Sequence, residues 1–383
     1  MAVPKSKLKS KDSGLLLKGK MDISFFVLLM LILTIGLIML FSASYEYAYT
    51  YFEDSYYFIK KQLLFAVVGV IIMCLVSKID YHKYRKWSWP LYIISVILLA
   101  VLLVLPPMIP GVDYKRWIVI GPINFQPSEI AKFAVVLLFS SLISSNYSRM
   151  KELKFGIFFL GFLLVLVCGL VVVETHLSAT VLILSIGIIM LIAGGIKKKH
   201  MILGASLGGL LALGAGAYIV SYASSRVQNW LNPWGDPSGD GYQTIQSLLA
   251  IGSGGFLGRG IGQSRQKYLW VPEPHNDFIF SIVCEELGFI GAMIIILMFC
   301  LLVWRGFVIA MRAPDKFGSL LALGLTFQVG IQMVLNILVV SNTIPNTGIS
   351  LPFFSYGGTS LLILLAEMGI VLSVSRTCSL QKT

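Results

Sequence analysis

Hydrophobic residues run along this chain in long stretches interrupted by clustered charges and by Pro/Gly groups. The interruptions leave ten stretches, each close to the roughly 20 residues that a helix needs to cross a hydrocarbon layer about 30 Å thick. They cover about 22–44, 60–79, 88–106, 128–145, 155–173, 176–195, 201–222, 277–304, 317–340 and 355–375. No charge separates the last two; Pro345, Gly348 and Pro352 do, because a run containing them cannot continue a helix. The pattern predicts an all-α polytopic membrane protein of ten transmembrane helices. Between spans 7 and 8 lies a long loop, 223–276, with enough Trp, Tyr, Ile and Leu to fold against the membrane surface. Within it, 241–251 fits a short amphipathic helix and 252–262 is a glycine-rich connector.

Composition agrees: 57% of the 383 residues are hydrophobic and 13% charged, with a mean hydropathy of +0.84. This excludes a set of soluble domains. Five cysteines form no CxxC pair and four lie in apolar stretches, so they read as buried thiols rather than a disulfide or zinc framework. The first apolar stretch has no small-residue cleavage pattern behind it and reads as a span rather than a removable signal.

The net charge of +12 would point to nucleic acid in a soluble protein. Here its placement decides otherwise. Six lysines precede the first span, and Lys78 to Lys86, Arg149 to Lys154, Lys197 to Lys199 and Arg305 to Lys316 mark alternate connections. By the positive-inside rule that face is cytoplasmic, both termini lie on it, and no nucleic-acid partner is implied. Residues 1–21 read as a basic cytoplasmic tail and 22–383 as a single membrane domain, with the 223–276 loop outside the cell.

Polar groups inside this pattern are candidates for chemistry. Asp277 ends the run Trp270-Val-Pro-Glu-Pro-His-Asn-Asp where a polar loop enters an apolar helix. A carboxylate there can be a general base with a raised pKa or simply a helix N-cap, and the residues leave both open. Glu285 and Glu286 lie about two turns further in and call for partners, protonation or a polar cavity. Glu129 and Lys132 are spaced to pair on one face of span 4, as a structural ion pair or as part of a substrate site. Arg116-Trp117 supplies basic and aromatic groups at the outer interface, which also suits plain anchoring. Glu174 and His176 read first as a polar turn. The glycines from Gly252 to Gly262 match no nucleotide-binding motif and read as tight backbone packing or a hinge. The final motif, Pro345 to Ser360, places irregular backbone at membrane depth, which requires protein cover or a wet cavity.

Taken in order, Arg116-Trp-Ile, Phe125-Gln-Pro-Ser-Glu-Ile-Ala-Lys132, Asn232-Pro-Trp-Gly-Asp-Pro237, Gln263-Ser-Arg-Gln-Lys267, Pro272-Glu-Pro-His-Asn-Asp277, Glu-Glu-Leu-Gly288 and Leu-Pro-Phe-Phe-Ser355-Tyr-Gly-Gly358 resemble the SEDS (shape, elongation, division and sporulation) family, the RodA/FtsW/SpoVE group. The resemblance covers nearly all of the chain after its tail. It implies an inverting peptidoglycan glycosyltransferase that polymerises lipid II at the outer face of the bacterial cytoplasmic membrane. The implied partner is a class B penicillin-binding transpeptidase, within division or elongation assemblies. Asp277 then corresponds to the essential carboxylate and is the expected catalytic base. Arg116, Glu129, Lys132, Arg259, Arg265, Lys267, Glu285 and Ser355 form the expected substrate-binding set. Cations among them, or a divalent metal ion bridging diphosphate and carboxylate, would stabilise the leaving undecaprenyl diphosphate. Two departures stand out: Val112-Asp-Tyr-Lys115 replaces the Asn-Gly-Ala often found before Arg-Trp, and Thr175-His-Leu-Ser178 replaces Pro-Asp-Leu-Gly, so His176 stands where the family often has an acid. The alternative reading is a lipid II transporter. It expects inverted repeats, and no internal repeat is visible.

Overall fold

The computed structural model describes residues 19–106, 116–120, 123–197, 199–200, 202–204, 227–239 and 241–380. Ten helices lie among them: α1 Ile23–Phe52, α2 Tyr57–Val76, α3 Ser88–Val104, α4 Pro127–Ser145, α5 Leu160–Val173, α6 Leu177–Ala193, α7 Tyr242–Gly254, α8 Ile279–Met311, α9 Lys316–Val340 and α10 Gly358–Leu380. Eight helical segments are long and apolar enough to cross a membrane, and α6 is a shorter apolar helix. Eight predicted spans therefore have a counterpart of full length and the sixth a shorter one. The seventh, 201–222, lies almost wholly outside the described residues, as do most of the basic tail and the start of the long loop. The predicted amphipathic helix at 241–251 is α7.

One feature departs from an all-α reading. Strands β1 Ile118–Ile120 and β2 Ile123–Phe125 pair antiparallel, with Ile118 opposite Phe125. The β-branched run Ile118-Val119-Ile120 favours an extended backbone, and the hairpin leads into α4, whose first residue is Pro127.

Small residues set the spacing of the bundle. Along the α2–α10 contact, a Cβ added at Gly69 would come within 2.5 Å of Leu365, and one at Gly369 within 2.7 Å of the Met73 carbonyl. Backbones approach closely there because apolar lipid gives little drive for larger side chains to meet. At the end of the bundle remote from Asp277, acids cap helices and tie them together. Asp22 accepts the Phe25 N–H at 3.0 Å and pairs with Arg305 at 2.7 Å. Asp315 accepts the Gly318 N–H at 2.8 Å and the Tyr81 hydroxyl at 3.0 Å.

Helix α8 is not continuous. Gly288 takes φ 68°, ψ −172° and breaks it after two and a half turns. A break inside an apolar layer strands backbone groups, each costing several kcal/mol if unpaired. The glycine-rich connector satisfies four of them. Arg259 N–H donates to Glu285 O at 3.0 Å and Gly260 N–H to Glu286 O at 2.9 Å, while Phe289 N–H donates to Gly255 O at 2.9 Å and Ile290 N–H to Phe256 O at 3.1 Å. The fit needs glycine on both sides, since a Cβ at Gly288 would lie 2.2 Å from Gly258 N and one at Gly258 2.2 Å from Glu286 O. The connector is thus tight backbone packing, one of the two roles its composition allowed.

Candidate active site

Asp277 sits just before α8. The N-cap residue of that helix is Phe278 and no side chain caps it, so the capping explanation for Asp277 falls away. Its backbone is held from two sides: Asn336 on α9 donates to the Asp277 carbonyl at 2.8 Å, and Ser355 donates to the neighbouring Asn276 carbonyl at 2.7 Å. Ser355 in turn accepts the Leu351 N–H at 2.8 Å, and His275 O accepts the Tyr356 N–H at 2.8 Å. The segment before α10 therefore clasps the residues on either side of the carboxylate. Gly348, at φ +69°, gives the carboxylate its space; a Cβ there would lie 3.1 Å from Asp277 Oδ2. Among the described residues the carboxylate has no hydrogen-bond or ion-pair partner of its own. Withdrawal from water, reinforced by the charge of Glu273, pushes Asp277 up to about 6, with Arg116 pulling the other way. A carboxylate so poised is ionised at neutral pH yet basic enough to take a proton.

Asp277 lines a cavity of about 1170 Å³, larger than a typical small-molecule pocket. Its wall also carries Arg116, Glu129, Lys132, His176 and Ser355, together with Lys61. Arg116, half-buried, donates to the Thr175 carbonyl at 2.6 Å on the α5–α6 turn. Beside it Glu174 is buried; burial pushes it up to about 8, and Arg116 draws it down. His176 follows, with Nδ1 3.3 Å from Gln126 Nε2. Glu174 and His176 are the polar turn expected of them.

Deeper in the cavity Glu129 and Lys132 form an ion pair at 2.9 Å. Lys132 also donates to Gln332 Oε1 at 3.2 Å, and Gln332 reaches on to the Ser350 carbonyl at 3.1 Å. A third acid, Glu367 on α10, is buried nearby and accepts from Gln328 at 2.9 Å.

The remaining predicted residues lie elsewhere. Arg259, Arg265, Lys267 and Glu285 do not line this cavity. Glu285 accepts the Arg265 N–H at 3.0 Å and the Gln266 N–H at 3.2 Å and faces Arg259 at 3.6 Å. Glu286 pairs with Lys267 at 3.2 Å and accepts from Ser42 on α1 at 2.7 Å. These charges fasten the glycine-rich connector to the broken helix; Arg265 keeps an exposed side chain. Sequence reasoning passed over Lys61, Gln332 and Glu367. A lysine at the start of an apolar stretch looks like an interface anchor, and a glutamine or a single acid inside one carries no motif. Among the described residues, no group of three or more His, Cys, Asp or Glu gathers as a metal site.

Comparison with known proteins places this arrangement. Residues 22–380 match the family model described as cell cycle protein, FtsW/RodA/SpoVE. Stage V sporulation protein E of Bacillus subtilis (strain 168) is 41% identical over 372 residues, covering 94% of this chain and 98% of that protein. The probable peptidoglycan glycosyltransferase FtsW of Geobacter sp. (strain M18) is 40% identical over 345 residues, covering 89% and 92%. Among solved structures, a chain from a study of the structural coordination of polymerization and crosslinking by a peptidoglycan synthase complex superposes with a TM-score of 0.76 at 28% identity, covering 94% of this chain and 98% of its own. The rod shape determining protein RodA of Thermus thermophilus superposes at 0.66 with 26% identity, covering 93% and 97%. The chain is a multi-pass membrane protein and belongs to the FtsW/RodA/SpoVE family.

Proposed function

We propose that this protein polymerises lipid II into glycan strands of peptidoglycan, for division, elongation or sporulation. The observation that carries the reading is the Asp277 carboxylate, uncommitted to any capping bond and facing a cavity whose wall also presents Arg116 and Lys132. Relatives named as peptidoglycan glycosyltransferases support it. In the reaction, the 4-hydroxyl of one lipid-linked disaccharide attacks the anomeric carbon of another. Asp277 takes the hydroxyl proton, the new C–O bond forms with inversion, and undecaprenyl diphosphate leaves with the electron pair of the broken bond. A base in this position contributes about 10² to 10⁴ in rate. Arg116 stands close enough to act on Asp277 electrostatically, and it is the cation we assign to orienting the anionic substrate beside the base. Arg259, Lys267 and Glu285 we assign to holding the connector, and Ser355 to positioning the Asp277 backbone. A divalent ion, if one takes part, would find Asp277 with Glu273 beside it as protein ligands and would need substrate oxygens to complete its shell.

The accompanying topology is ten spans in one membrane domain, 22–383, with both termini cytoplasmic and the 223–276 loop outside. A class B penicillin-binding transpeptidase is the proposed partner, in keeping with the peptidoglycan synthase complex that supplies a structural neighbour. The polar set of buried Lys132, Gln332 and Glu367 with the partly buried Glu129 lies among the helices and gives the lipid II transporter reading its one foothold. One experiment separates the two. The protein, reconstituted with its partner in liposomes carrying lipid II, forms strands, and Asp277→Ala abolishes them. Movement of lipid II between leaflets with no strands from wild type would establish the transporter, and strands at the wild-type rate from Asp277→Ala would remove Asp277 from the chemistry.

A further inference from the structure

The cavity's own charges cancel: Lys61, Arg116 and Lys132 on its described wall face Glu129, Glu273 and Asp277. Two of the cations are engaged. Lys132 holds Glu129 at 2.9 Å, and Arg116 is fixed on the Thr175 carbonyl at 2.6 Å, close enough to Glu174 and Asp277 to favour the ionised form of each. With Arg116 assigned beside the base, the diphosphate needs a further cation that is not already answered by a carboxylate, and Lys61 fits that need.

Lys60 and Lys61 open α2 side by side and end up differently. Lys60 pairs with Asp54 at 2.8 Å and does not line the cavity. Lys61 has no ion-pair partner among the described residues. Its ammonium donates to the Tyr57 hydroxyl at 2.6 Å and lies 3.9 Å from the centroid of the Tyr57 ring. That ring is itself fixed by stacking on Phe52 at 4.0 Å and 9°, and Phe52, Tyr57 and Lys61 all line the cavity. A lysine normally gives up much rotamer freedom when it grips a ligand. Here a cation–π contact and a hydrogen bond have already confined it. An ammonium has three N–H donors; Tyr57 takes one, and two remain for a ligand.

We propose that Lys61, presented by the Phe52–Tyr57 stack, is a diphosphate-binding residue at the lip of this cavity. Resting on the glycosyltransferase reading above, it compensates the charge that develops on the diphosphate as the anomeric C–O bond breaks, while Asp277 receives the proton at the other reacting oxygen. The same ammonium chemistry would hold an ordinary phospholipid headgroup, so the test distinguishes the two lipids.

The full-length protein in nanodiscs is titrated with undecaprenyl diphosphate and, separately, with phosphatidylglycerol, binding being followed by native mass spectrometry. Polymerisation of lipid II is measured on the same variants. Lys61→Gln is expected to weaken undecaprenyl diphosphate about tenfold and to raise the KM for lipid II, with phosphatidylglycerol unaffected. Lys61→Arg should restore most of the affinity. Tyr57→Phe keeps the ring stack and removes the hydroxyl, so it should lose part of the affinity without loss of folded protein. Equal weakening of both lipids by Lys61→Gln would make Lys61 a headgroup anchor and overturn the proposal, as would unchanged undecaprenyl diphosphate binding. Lys61-dependent binding in a protein that forms no strands would support the diphosphate site while refuting the glycosyltransferase reading.

Discussion

The base proposed at Asp277 would act only while ionised, so its surroundings would fix the pH range of activity. With its carboxyl raised to about 6, the initial rate at low substrate should fall about tenfold per pH unit once the pH drops below that value. Arg116 works against the rise. Removing its charge in Arg116→Gln should therefore move the acid limb to higher pH, and a limb left in place would mean that Arg116 does not bear on the base. The pair Glu129–Lys132, with Lys132 buried and Glu129 partly so, makes a second prediction. Losing one partner leaves the other charge unanswered, at a cost of up to about 3–5 kcal/mol, whereas losing both removes the pair together. Glu129→Gln and Lys132→Met should thus each lower the thermal unfolding midpoint in detergent more than the double variant does; equal losses throughout would show that the pair is not buried as a charged unit. Much at this scale was legible in advance. Asp277 stood out because a charge at a helix mouth is physically expensive, and the pairing of Glu129 with Lys132 follows from their spacing. The choice between base and N-cap was not legible, because it turns on whether α8 begins at Ile279 or one residue earlier, and sequence does not fix helix ends so finely. Nor could Lys61 be told from Lys60, since each has a tyrosine four residues back and only the fold shows that Asp54 answers Lys60.

Helix α8 reads in the sequence as one long apolar span and folds as two pieces. Glycine in an apolar helix is ordinary in membranes, so Gly288 alone gave no warning; the break depends on a second segment, 255–260, that supplies its hydrogen bonds from about 30 residues upstream. The pattern identified both glycine-rich and acidic elements without showing that they meet. Arg259 and Lys267 looked like phosphate-binding cations for the same reason, being near the right loop while their carboxylate partners were assigned to another element. Substitution at the junction should be severe. Gly288→Ala meets both a positive φ and a backbone atom 2.2 Å away, so about 1–3 kcal/mol of backbone strain adds to a steric clash. Gly161→Ala and Gly169→Ala in α5, where an added Cβ meets nothing within 4 Å, should leave stability unchanged or slightly raised. Thermal midpoints of the three purified variants test the contrast, and equal behaviour would contradict the broken-helix geometry.

At the scale of the whole molecule, the apolar stretches and the basic connections anticipated a multi-pass bundle because the bilayer imposes span length and charge bias directly. A cavity was among the alternatives raised by the acidic pair and by the Pro345–Ser360 motif, but its wall was not legible, since it draws on segments from Phe52 to Leu364 and leaves out Glu285 and Glu286. Orientation gives the last prediction. In a cysteine-free background, single cysteines at Ser238 and at Ser10 should be labelled by an impermeant thiol reagent from outside the cell and only after permeabilisation, respectively; the reverse order would invert the proposed topology. The junction at Gly288 also bears on how such a protein can change over time. Surface loops ordinarily absorb insertions and deletions at little expense. Between Gly254 and Gly260 the chain instead counts out four backbone hydrogen bonds against a helix, in a fixed register. An exposed side chain such as Leu257 is free to vary, but one added or lost residue would put every donor opposite the wrong carbonyl. This stretch should drift in composition across lineages while holding its length.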